Sequence, residues 1–211
     1  MNEAITRVEG MCNIDFMTTH GRPGAVCLVG GTHPVDRGIR RAQKRVCPGR
    51  APSLWSHAFV LQGERADGHA WLLESDIDLQ GGQVKNGVQE HRLDKYGDAS
   101  EYPNAAILDF GLTDAQARGV IAAGLDFVSR RTRYAAAGAL KTYWNILAKR
   151  LDREPRNKDA IFCSAFVRAL YRHVGVDLVP SVAVHNTLPE HLAQTTVPHR
   201  RWVMLREEAE R

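Results

Sequence analysis

No apolar run in this 211-residue chain approaches the roughly 20 residues that a membrane-spanning helix needs. The N-terminus, MNEAITRVEGMCNIDF, lacks the apolar core of a secretory leader and carries acidic residues early. These absences predict a cytoplasmic protein with no transmembrane segment. Cysteine is scarce, and Cys12, Cys27, Cys47 and Cys163 show neither CxxC nor CxH spacing. That argues against a zinc ribbon, a redox pair and a disulfide framework alike, and predicts reduced thiols. Internal repeats and low-complexity tracts are missing too, so a single domain over 1–211 is expected, with 1–23 an irregular lead-in because no periodicity marks it. Charge of one sign is not in strong excess. A net charge of +4 spread along the chain does not make a nucleic-acid binder, and leaves only a weak contact with a membrane surface or an anionic substrate open.

What the chain does have is a cysteine in a setting that makes a thiol reactive. In KDAIFCSAFVRALYRHV, Phe162, Phe166, Leu170 and Val174 recur every four residues with Val167 and Tyr171 beside them, which predicts a helix beginning near Ile161. Cys163 then falls in the first turn. Unpaired backbone N–H groups and the positive end of the helix dipole favour a thiolate there. The plainer reading is that a single Cys among apolar residues is simply core.

Upstream, AVCLV between glycines predicts a buried strand, and Thr32 with Pro34 a capped helix over VDRGIRRAQKRV. Val35, Ile39, Ala42 and Val46 would form its inner face, leaving Arg37, Arg40, Arg41, Lys44 and Arg45 as a solvated basic face. SLWSHAFVLQG and AWLLES read as a hairpin, followed by strands in QVKNGVQEHRL and NAAILDF. The hairpin brings His57, at the start of one strand, near Glu74, at the end of the next. His57 interrupts an apolar strand, where an imidazole needs a partner or a role. Thr113-Asp114-Ala115-Gln116 is a capping box opening a helix with an inward stripe of Val120, Ile121, Leu125 and Val128. Leu140, Tyr143, Trp144, Leu147 and Leu151 predict another helix. LPEHLAQ makes a short helical turn, and RWVML a last strand.

The order of these motifs carries a resemblance. GAVCLVGG, an arginine-bearing helix, LWSHAFVL, WLLES, and much later IFCSAFVRALY followed by LPEHLAQ resembles the circularly permuted papain-like cysteine amidases. More narrowly it is similar to the YiiX-like group, relatives of the NlpC-type cell-wall peptidases and of lecithin retinol acyltransferase. The resemblance covers roughly residues 24–194, with its specific content in SHAFV, FCSAFV and Glu74. It implies an α+β fold, a small antiparallel sheet packed against the cysteine helix with other helices outside. It also implies Cys163 as nucleophile, His57 as general base and acid, and Glu74 as the group that orients His57, with no metal or organic cofactor.

Asp76 and His91 compete with Glu74 for the third place. Tyr134 and Ser164 are the candidate substrate-binding residues, although RYAAAG around Tyr134 departs from the family's tyrosine-rich stretch and Ala165 replaces an acidic residue common in relatives. The implied reaction is hydrolysis of a peptide, peptidoglycan-fragment or lipid-amide bond through a thioester. Two alternatives remain open: lipid acyl transfer or phospholipase action, and a non-catalytic binding domain on the same fold.

Overall fold

The computed structural model of the chain describes residues 5–78, 85–130 and 162–207. The helix expected at Leu140–Leu151 and the charged connector after it lie outside them. Seven strands are described: β1 (Ile5–Arg7), β2 (Val26–Gly30), β3 (His57–Glu64), β4 (Ala70–Asp78), β5 (Lys85–Arg92), β6 (Asn104–Asp109) and β7 (Arg200–Leu205). They form one sheet in the order β1-β7-β6-β2-β3-β4-β5. Every neighbouring pair is antiparallel except β1 with β7. Six of these strands stand where the sequence places them. The seventh, β1, enlarges the small antiparallel sheet of the expectation into a mixed one, within a lead-in expected to be irregular.

Among the described residues, five helices accompany the sheet: α1 (Asn13–His20), α2 (Pro34–Ala42), α3 (Asp114–Ser129), α4 (Cys163–His173) and α5 (Pro189–Ala193). None of the described helices is long and apolar enough to cross a membrane. Because side chains alternate along a strand, the sheet presents two apolar faces. On one, Leu28, Ala58, Val60, Leu73 and Leu108 pack against Val120 of α3 and Phe166, Val167 and Leu170 of α4. On the other, Cys27, Phe59, Leu61, Leu72 and Ile107 pack against Phe16 and Met17 of α1 and Leu93 and Tyr96 of a 3-10 turn, Leu93–Tyr96.

α1 corrects the irregular lead-in. Its N-cap is Cys12, whose sulfur accepts the Asp15 N–H at 3.3 Å, and Asn13 on its inner side is buried and donates to the Tyr96 and Tyr102 carbonyls at 2.9 Å each. A polar residue on the buried side removes the apolar stripe by which such a helix is read.

α2 is rotated from its expected setting. Val35 is 49% exposed, whereas Arg40 is buried, donating to the Ser53 carbonyl at 2.9 Å and the Gly31 carbonyl at 3.4 Å. Thr32 does not cap it. His33 is the N-cap, without a side-chain cap bond, and the Thr32 hydroxyl donates to Ser100 and Glu101 carbonyls instead. α3 has its capping box, with Thr113 Oγ1 accepting the Gln116 N–H at 3.2 Å and Gln116 Oε1 accepting the Thr113 N–H at 3.0 Å. Its stripe is shifted, since Leu125 is 38% exposed and Gly124 faces inward against Leu73.

α4 forms where its apolar stripe predicts. Phe162, Phe166, Val167, Leu170 and Tyr171 are all buried. It ends on Gly175 at φ +82°, with the Val176 N–H on the Tyr171 carbonyl and the Gly175 N–H on that of Arg172. This is a Schellman closure, which needs the left-handed backbone that glycine supplies without strain.

Candidate functional site

The site is built at the start of β3, the middle of β4, which runs on past the Glu74 expected near its end, and the tip of α4. Cys163 is the first residue of α4 and is partly exposed. Phe162 before it is extended and contributes no side-chain cap, so the first-turn N–H groups receive nothing from that side chain. Ser164 turns the other way. It is buried, and its hydroxyl donates to the Thr187 carbonyl at 2.8 Å. The expected substrate-binding serine therefore anchors the helix tip to the segment before α5. Arg168, one turn on, completes that anchor through Asp177 at 2.6 and 3.0 Å and Thr187 Oγ1 at 3.0 Å. Tyr134 lies outside the described residues.

The β3–β4 register pairs Val60 with Leu73, which puts Glu74 diagonal to His57 on one face of the hairpin, and there the two side chains meet. His57 Nε2 lies 2.8 Å from Glu74 Oε2, and since an ionised carboxylate only accepts, Nε2 carries the proton. Nδ1 is then the nitrogen left for a sulfur. Burial alone would lower the His57 pKa. The electrostatic and hydrogen-bonding interaction of the ring with Cys163, the bond to Glu74 and the charge of Asp76 outweigh burial and hold the pKa well above the ordinary 6.5.

Glu74 is wholly buried. Its two oxygens take four donors: His57 Nε2 at 2.8 Å and Tyr96 Oη at 2.5 Å on Oε2, His91 Nδ1 at 2.5 Å and Lys95 Nζ at 2.6 Å on Oε1. Burial would raise its pKa, but hydrogen bonds from His57 and His91 and the charge of Lys95 win, holding it well below the ordinary 4.5. A bare carboxylate here would neutralise itself. Lys95 also meets Asp76 at 2.6 Å. The three rivals for one place are therefore joined: Glu74 touches His57, His91 stands behind it, and Asp76 reaches the network through Lys95.

Atoms of His57, Glu74 and Asp76 lie within 4.8 Å of one another, a spacing that suits a cation. Lys95 already brings a positive charge to both carboxylates, and His57 Nε2 is engaged with one of them. An ammonium thus fills the electrostatic need that a metal would serve.

Sequence reasoning missed Lys95 and Tyr96. They sit in the charged stretch EHRLDKYG, whose composition signals only a turn, and nothing local shows that the turn folds under β4. The other cysteines lack this setting. Cys27 is buried, which pushes its thiol pKa up. Cys47 is buried too, and burial together with the neighbouring Glu190 raises its pKa to about 12. Cys12 is exposed and caps α1. No family model matches the chain, and no curated protein matches it.

Proposed function

We propose that the chain is a cysteine-dependent amide hydrolase of the permuted papain-like, YiiX-like kind, with Cys163, His57 and Glu74 as its triad. One observation carries this reading: His57, bonded to the buried Glu74 at 2.8 Å, also has Cys163, at the tip of α4, among the groups that act on it. A thiolate attacks the substrate carbonyl carbon, and the N–H groups at the start of α4 stabilise the oxyanion that forms. His57 passes its proton to the leaving amine as the C–N bond breaks, leaving a thioester on Cys163. Water then gives a proton to His57 as its oxygen attacks the thioester, and the carboxylic acid leaves as the sulfur is released. Glu74 fixes the ring and offsets its positive charge throughout, without giving up its own proton-free state.

The lipid acyl-transfer reading rested on the basic face of α2. That face loses Arg40, which is committed to backbone carbonyls in the interior.

The test is covalent. An activated ester such as p-nitrophenyl acetate should leave one acetyl group on Cys163 and none in Cys163→Ala. Iodoacetamide should label Cys163 faster than Cys12, the exposed control. Equal labelling of the two, with no acetyl adduct, would end the hydrolase reading.

A further inference from the structure

Lys95 and Tyr96 are neighbours in one 3-10 turn, and they grip different oxygens of the same buried carboxylate. Tyr96 Oη donates to the oxygen that His57 also uses. The Tyr96 ring, wholly buried, stacks on Phe59 at 4.6 Å and 11° and on His57 at 5.9 Å and 24°. One side chain thus fixes both ends of the imidazole's setting, the plane of the ring and the atom that its Nε2–H points at. Lys95 takes the second oxygen and shares its charge with Asp76.

We propose that the Lys95–Tyr96 turn is the positioning element for His57, with Tyr96 setting the orientation of the imidazole and Lys95 keeping Glu74 ionised beneath it. Neither residue is a catalytic group, since both act through Glu74. The turn is itself held from below, because the Tyr96 carbonyl accepts from Asn13 of α1 at 2.9 Å. The inference rests on the triad reading and adds to it the source of the triad's geometry. His57 faces Cys163 from α4, Glu74 and Asp76 from β4, and Tyr96 from the turn, while Lys95 from the turn and His91 from β5 reach it through Glu74.

The experiment compares the iodoacetamide reaction rates of Cys163 and Cys12 over an acid-to-neutral pH series, in the 211-residue chain and its variants, with thermal midpoints measured alongside. Tyr96→Phe keeps the ring and loses one hydrogen bond to a charged group. The Cys163 rate should fall about tenfold near neutral pH while Cys12 is unmoved. Lys95→Met should do the same, and Lys95→Arg, which keeps the charge, should restore most of the rate. A lowered thermal midpoint with an unchanged Cys163-to-Cys12 ratio in both Tyr96→Phe and Lys95→Met would reduce the turn to a structural part and overturn the proposal. If Tyr96→Phe fails to fold, the Lys95 pair decides by the same ratio. A natural protein whose Cys163 reacts no faster than Cys12 would sink the triad itself, a result distinct from flat variants on a reactive parent.

Discussion

Glu74 is the residue on which the electrostatics turn. Its carboxylate is held well below the ordinary 4.5, so its contribution to stability is full above that value and is lost as the pH falls toward the lowered one. His57 is held well above the ordinary 6.5, so its contribution is full below 6.5 and is lost as the pH rises through the raised value. Stability should therefore be greatest between those two ordinary values. Urea unfolding as a function of pH checks this, with Glu74→Gln expected to flatten the acid side. The same substitution removes the buried charge that His57, His91 and Lys95 share, leaving Lys95 only Asp76, and should cost about 3–5 kcal/mol, as losing one partner of a buried pair does. Cys163 and His57 stand out locally, a thiol opening an apolar helix and an imidazole inside an apolar strand, whereas Glu74 is singled out only by the hairpin that brings it near His57 and by the resemblance. Tyr96 does not stand out, because its meaning lies in what it touches across the fold.

Among the elements, α2 and α1 show where pattern reading stops. Apolar positions alone assign a helix stripe, yet α2 turns Arg40 inward to the Ser53 carbonyl, and Gln43, just past its end, donates to that of Trp55. A buried guanidinium is invisible to an apolar count. Arg40→Ala should cost roughly 2–3 kcal/mol by leaving buried carbonyls unpaired, while Arg37→Ala, on the exposed side, should stay within about 0.5 kcal/mol of the parent in the same urea titration. In α1, Phe16 is wholly buried, and Phe16→Ala should cost about 3–5 kcal/mol. A truly irregular lead-in would show almost no effect.

Across the whole molecule, the sheet works as a partition. The helix bearing Cys163 packs on one face, and the turn bearing Lys95 and Tyr96 packs on the other. Strand positions were readable from short apolar runs, but strand order was not, because β2 pairs with β6 and β3 while β1 joins β7 from the far end of the sequence. Those are long-range choices that no local pattern records. β2 is bonded on both sides and all five of its residues are buried, so its amides should exchange most slowly with deuterium. Fast exchange there, with slow exchange in β1 or β5, would contradict this strand order.

Arg206 donates to Asn13 Oδ1 at 2.7 Å and to the Met11 carbonyl at 2.7 Å, while Asn13 in turn holds the Tyr96 carbonyl. A residue beyond the last strand thus closes a chain of contacts that runs through α1 to the floor beneath His57. During synthesis, Cys163 emerges from the ribosome well before this latch can shut. On the triad reading, a chain cut after Leu205 should therefore show a Cys163 that iodoacetamide labels more slowly than in the parent.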